Sequence, residues 1–168
     1  MQAPNPRADG TLWYFGYGSN MCPDIFEGRR GIRPLARAAA RLDGYRLCFD
    51  IPVGPGERGV ANLEPAAGER LWGVAYLVTE KDAGHLDRTE GVAAGFYRRI
   101  AVELALDSGP RVAAFAYRSS LSAAGRKPSP RYIGLILAGA RVHGLPAEWL
   151  LFLESLELAH DERSPDGH

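Results

Sequence analysis

Leu71–Val78 reads LWGVAYLV, and this run decides the fold. It is nearly all apolar, which predicts a strand buried on both faces. Thr79 follows as a helix N-cap, with Glu80 and Asp82 placed to meet the positive end of the helix. That helix is predicted to run to about Glu90, where Gly91 offers a stop. Upstream, Arg41–Phe49 (RLDGYRLCF) and Val60–Leu63 read as strands, with the Gly- and Pro-rich Ile51–Gly59 as the loop between them. Further upstream, Leu12–Tyr17 is an aromatic-rich strand, and Pro23–Arg29 is a short helix with proline in its first turn. Downstream, Tyr97–Leu106 and Arg111–Arg118 form a hairpin through DSGP. Gly125–Pro130 is a loop, Arg131–Val142 a helix, and HGLP (His143–Pro146) a break before a last helix reaching Glu157. Leu150, Leu153 and Leu156 give that helix its apolar stripe. Strands come first, in antiparallel pairs, and helices last. The expected class is α+β, not alternating βαβ.

The chain has 168 residues, the size of one ordinary domain. Residues 11–160 are expected to form it, with flexible segments at 1–10 and 161–168. The net charge is zero, which favours neither nucleic acid nor an anionic membrane as partner. No run reaches membrane-spanning length. MQAPNPRADG has no apolar leader core, so the expected location is the cytoplasm. Cys22 and Cys48 are too few for a disulfide framework and lack zinc spacing, and are expected as free thiols. No two of His85, His143, His160 and His168 have ligand spacing, so no metal is expected.

Three groups of residues could carry chemistry. The first is the end of the aromatic strand, Trp13–Met21 (WYFGYGSNM), where an apolar run passes straight into a polar turn. Its glycines allow close approach of a ligand, and its successive N–H groups could cradle an anion or oxyanion. A plain cap for the following helix accounts for Ser19 and Asn20 as well. Ser19 is not in a Gly-x-Ser-x-Gly elbow. The second is Glu90, at the negative end of a helix with Val92 and Phe96 nearby. Both features would raise a carboxylate pKa toward the range of a general acid–base, unless the side chain is simply solvated. The third is the tyrosines Tyr17, Tyr97, Tyr117 and Tyr132, each at a strand end or beside a loop, suited either to a small polar pocket or to a core with one wet edge.

YFGYGSNM, LDRTEGV followed by GFY, FAYRSS, and KPSPRYIGLILAGARVHGLP occur in the order seen in γ-glutamylcyclotransferases, within the broader AIG2-like superfamily. The resemblance extends from about Trp13 to Leu158. It implies a compact mixed β-barrel with flanking helices and a reaction that needs no cofactor. The substrate's free α-amine attacks its own γ-carbonyl, forming 5-oxoproline and releasing an amino acid or amine. The family's catalytic acid falls on Glu90. Its binding loop falls on Tyr14, Phe15, Gly16, Tyr17, Gly18, Ser19 and Asn20, and its pocket tyrosines on Tyr97, Tyr117 and Tyr132. The implied partner is a small γ-glutamyl molecule, and a monomer or homodimer would serve. A non-catalytic γ-glutamyl-binding protein of the same fold is the alternative. The resemblance leaves the leaving half of the substrate open: Asp50–Gly73 aligns least well with any one subfamily, and the lining of the leaving-group pocket varies there and in Ser119–Pro130.

Overall fold

The computed structural model describes residues 5–162. Five strands, β1 (Thr11–Gly16), β2 (Ala36–Pro52), β3 (Gly59–Thr79), β4 (Arg98–Leu106) and β5 (Arg111–Arg118), close into a barrel in the order β1-β3-β2-β4-β5. Every pairing is antiparallel except the closing one, where β5 runs parallel to β1 with Tyr14 opposite Phe115. Closure removes the open edges that five strands would otherwise present. Helices α1 (Glu80–Thr89), α2 (Pro130–Val142) and α3 (Ala147–Glu154) flank it. This is the mixed barrel that the resemblance implies.

The run Leu71–Val78 is apolar because β3 pairs on both sides at once. Val74–Thr79 meets β1, and Leu71–Leu77 meets the first half of β2. Leu71, Val74 and Tyr76 are essentially inaccessible. Two expectations change here. Val60–Leu63 and Leu71–Val78 are one strand, not two: the intervening EPAAGER contains an irregularity, residues 66–69, across which the partner advances only from Asp43 to Tyr45. Gly44 and Gly68 carry it, at φ +82° and +81°, a region L side chains avoid. Strand β2 also begins at Ala36, ahead of the expected Arg41, because Ala36–Ala40 has Gly73–Leu77 as a ready partner. Alanine has weak strand preference, so pairing and not propensity sets that start.

The helix ends follow local chemistry. Thr79 Oγ1 accepts from the Asp82 N–H at 3.1 Å, and Ser129 Oγ from Tyr132 N–H at 3.1 Å, so α2 starts one residue before the expected Arg131. Gly91, at φ +66°, turns the chain away after α1. Helix α3 stops at Glu154, short of the expected Glu157. The segment after β1 makes a 3₁₀ turn, Ser19–Met21, then a π-helical turn, Asp24–Arg29, in which Arg30 N–H bonds Ile25 O at 2.8 Å. Of the segments expected to be flexible, 1–4 and 163–168 lie outside the described residues. Arg7–Thr11 closes a turn stapled by Asp9, and Asp161 pairs with Arg58. Cys22 and Cys48 are free thiols. No helix among the described residues is long and apolar enough to cross a membrane.

Helix α2 lies directly against the 3₁₀ turn. A side chain on Gly139 would collide with the backbone carbonyl of Met21. Gly139→Ala should therefore destabilise the protein by about 1–3 kcal/mol, the usual cost of overpacking a site that cannot yield. Urea denaturation with an unchanged m-value is the check.

Candidate active site

Glu90 caps the C-terminus of α1, its N–H bonded to Leu86 O at 2.9 Å. The turn at Gly91 leaves the side chain facing the mouth of the barrel, where Asn20 Nδ2 donates to Glu90 Oε1 at 3.0 Å. The same amide nitrogen donates to Tyr14 Oη at 2.9 Å, and Asn20 Oδ1 accepts from Arg30 Nε at 3.0 Å. These partners fix the amide orientation, because a flipped Asn20 would aim its oxygen at the carboxylate and its nitrogen at the guanidinium. Asn20 is itself 5% exposed.

The turn bearing Asn20 is pinned from below. Tyr76 Oη donates to Asn20 O at 2.9 Å, and His143, just past α2, donates Nε2–H to Met21 O at 3.0 Å. Burial holds the His143 pKa below its ordinary value, which keeps the ring neutral. His85 on α1 reaches Arg30 O at 2.9 Å and ties down the segment that carries the guanidinium.

A cavity of about 200 Å³ opens above these groups. Of the residues expected to form the site, Glu90, Tyr14, Tyr17, Gly18, Ser19, Asn20, Tyr97, Tyr117 and Tyr132 all line it. Phe15 and Gly16 do not. Phe15 is fully buried on the other face of β1, as strand alternation requires, and Gly16 packs beneath the Tyr76 and Tyr14 rings. The glycines serve close approach and not unusual φ: a Cβ on Gly18 would stand 3.2 Å from both Ala61 Cβ and Tyr132 Oη. Arg30, Val60 and Ala61 line the cavity without having been expected there. Arg30 is one of the two arginines in EGRRG, and nothing local distinguishes it from Arg29.

The tyrosine hydroxyls divide into two sets. Tyr17 donates to Tyr117 O at 2.6 Å, Tyr97 to Ala61 O at 2.9 Å, and Tyr117 to Asp87 Oδ1 at 2.6 Å. Asp87 is held in turn by Arg99 Nε at 2.7 Å, and that guanidinium sits over the Phe115 ring. Tyr14 and Tyr132 instead accept, from Asn20 and from Ala61 N–H at 3.0 Å, which leaves their own hydroxyl hydrogens uncommitted among the described residues. Burial raises the pKa of all five, that of Tyr132 to about 12, so each stays a neutral donor.

Burial raises the Glu90 pKa, while the Arg30 charge and the Asn20 hydrogen bond oppose the rise. Phe96, 56% exposed, is not the cause; it packs over Gly91. Elsewhere, Cys48, Asp50 and Glu64 bring ligand-type atoms within 4.8 Å of one another. Burial and the Asp50 charge push the Cys48 thiol up to about 12, and Glu64 is paired with Arg46, so this group is a poor metal site.

A model of the AIG2-like family matches residues 70–153, which include Glu90, Tyr97, Tyr117 and Tyr132. The γ-glutamylcyclotransferase of Homo sapiens is 31% identical over 153 residues, covering 88% of this chain and 79% of the relative. That of Bos taurus is 30% identical over 151 residues with the same coverage. The chain belongs to the γ-glutamylcyclotransferase family. A solved γ-glutamyl cyclotransferase superposes with a TM-score of 0.79 at 27% identity, covering 93% of this chain and 95% of that one. As a member of the γ-glutamylcyclotransferase family the chain is an enzyme, with cyclotransferase activity in the broad sense.

The raised Glu90 pKa has a stability consequence of definite sign. The folded state binds the proton more tightly than the unfolded one, so ionisation of Glu90 costs stability as pH rises past the ordinary glutamate value. Glu90→Gln should therefore melt above the wild type at pH 7, by about 2–4 °C per kcal/mol relieved in a protein of this size. The gain should shrink toward pH 4, as thermal melts across that range would reveal. Asn20→Ala removes a bond that stabilises the carboxylate, and should move the Glu90 titration upward, read by carboxyl NMR.

Proposed function

We propose that the protein converts a γ-glutamyl amino acid or γ-glutamyl amine into 5-oxoproline and the free amino acid or amine, with Glu90 moving the protons. The observation that carries this reading is the Asn20–Glu90 hydrogen bond, which sets a half-buried acid of raised pKa in one cavity with the Tyr-Gly-Ser-Asn turn. The names of the relatives supply the γ-glutamyl half of the substrate.

The steps follow from the groups present. Glu90 carboxylate takes a proton from the substrate α-ammonium, a transfer that its raised pKa favours. The freed amine attacks the γ-carbonyl carbon and closes a five-membered ring, and the carbonyl oxygen becomes an oxyanion. The turn at Gly18 and Ser19 and the unused Tyr14 and Tyr132 hydroxyls are the donors available to it. Protonated Glu90 then gives its proton to the leaving nitrogen, the C–N bond breaks as the oxyanion re-forms the carbonyl, and the ring nitrogen's second proton passes through the again-ionised Glu90 to the departing amine, which leaves a neutral lactam. No water is consumed. Arg30 uses only Nε on Asn20, so its terminal N–H groups are free to hold the substrate α-carboxylate. Because attack is intramolecular, the enzyme mainly selects a folded conformer.

The test is release of 5-oxoproline from γ-glutamyl-alanine. Glu90→Gln, with its fold intact, should lose about 100-fold or more in kcat. A loss of only a few-fold would contradict a proton-transfer role. For the wild type, kcat/KM should fall on the acid side of a pKa above the ordinary glutamate value, since the base must be ionised. Arg30→Ala should raise KM by about tenfold or more, the weight of a charge-assisted pair.

A further inference from the structure

The end of α1 carries two carboxylates three residues apart, Asp87 and Glu90. Glu90 lines the cavity, and its one side-chain partner among the described residues is Asn20. Asp87 does not line the cavity but is bound to its wall. Its Oδ1 accepts from Tyr117 Oη at 2.6 Å and from Arg99 Nε at 2.7 Å. Arg99 and Tyr117 stand opposite each other on β4 and β5, so a cross-strand pair grips one oxygen of the helix. The Arg99 guanidinium is itself seated over the Phe115 ring, 4.4 Å from its centre. The backbone of Asp87 closes the turn that follows: its carbonyl accepts from Val92 N–H at 3.0 Å, around Glu90 and Gly91. Among the described residues no other side chain of α1 bonds to β4 or β5. His85 reaches only the backbone of Arg30, and Thr89 only Leu86 O within the helix.

We propose that Asp87 is a positioning residue for the reaction: held by Tyr117 and Arg99, it fixes the last turn of α1 against the barrel rim and so keeps the Glu90 carboxylate where proton transfer requires it. The inference rests on the cyclotransferase reading, with Glu90 moving the protons. The hydrogen bond to Asn20 does not set Glu90 alone, because helix ends fray and a glutamate side chain has many rotamers to lose. The backbone beneath it has to be fixed as well, and the Asp87 clamp does this from the preceding turn. Tyr117 spends its hydroxyl on that clamp and presents only its ring to the cavity. A misplacement of about 1 Å at a reacting group is worth about 100-fold in rate. Substrate binding is less exposed to loss of the clamp, since Arg30 and the turn at Gly18 and Ser19 belong to other elements.

The experiment measures 5-oxoproline release from γ-glutamyl-alanine, per mole of folded protein and well below each melting temperature. The variants are Asp87→Ala, Asp87→Asn, Tyr117→Phe and Asp87→Ala/Tyr117→Phe, beside Glu90→Gln. Asp87→Ala should lose about tenfold or more in kcat with KM little changed. Asp87→Asn keeps an oxygen for both donors and should recover part of that loss. The double variant should lose little more than Asp87→Ala, because Tyr117 acts through the same oxygen. A second readout needs no turnover. In Tyr117→Phe the Glu90 titration, followed by carboxyl NMR, should fall toward the ordinary glutamate value as the loosened helix end admits water. That variant leaves unaltered the groups that face Glu90, namely Asn20, Arg30 and the hydroxyls of Tyr14, Tyr17, Tyr97 and Tyr132. A lowered melting temperature with kcat and the Glu90 titration both unchanged would reduce Asp87 to a staple and overturn the inference. A loss confined to KM, or single losses that multiply in the double variant, would overturn it too. An inactive Glu90→Gln beside a fully active Asp87→Ala sinks this inference alone, whereas an active Glu90→Gln sinks the proton-transfer reading and this inference with it. If Asp87→Ala does not fold, Asp87→Asn and Tyr117→Phe carry the test, each expected to lose part of the same kcat.

Discussion

The side-chain amide of Asn20 is the point on which the site depends. Its oxygen faces Arg30, and its nitrogen is shared between Tyr14 and Glu90. Three groups from different parts of the chain thus meet through this one residue of the 3₁₀ turn: Tyr14 from β1, Arg30 from the end of the π-helical turn, and Glu90 from the C-terminus of α1. An amide suits this position because it offers a donor and an acceptor at once. A carboxylate would repel Glu90, and an apolar residue would leave its carboxylate without the amide donor.

The rest of the fold keeps that amide still. Tyr76 holds the Asn20 carbonyl from within the barrel wall, and His143 holds the next carbonyl from the end of α2. Gly139 lets α2 approach the turn more closely than any side chain would permit. Barrel closure sets the mouth, because the ends of β1, β3 and β5 bring Tyr14, Ala61 and Tyr117 to one rim. Glu90 is consequently half-buried with a raised pKa, at some expense in stability.

The tyrosines divide the labour between support and contact. Those whose hydroxyls donate to Ala61, Tyr117 and Asp87 brace the cavity walls, and the hydroxyl oxygens of Tyr14 and Tyr132 accept instead. Arg99 belongs to the bracing set, since it orients Asp87 and so fixes the Tyr117 ring.

Much of this was legible in the sequence. The apolar run Leu71–Val78 identified the central strand, Thr79 and Gly91 marked the two ends of α1, and the passage from aromatic strand to Gly-Tyr-Gly-Ser-Asn marked a donor-rich turn. These are local matters, settled by side-chain period, capping and glycine. The tertiary structure alone decided what lies across space. Pairing with β3 drew Ala36–Ala40 into a strand that alanine would not choose, and a two-glycine irregularity carried EPAAGER through a single long one. Alternation along β1 sent Phe15 to the core and Tyr14 to the cavity, although they are adjacent. Arg30 and Arg29 are neighbours of the same type, and only the fold gives one of them to Asn20, because hydrogen bonds depend on distance in space and the sequence records distance along the chain.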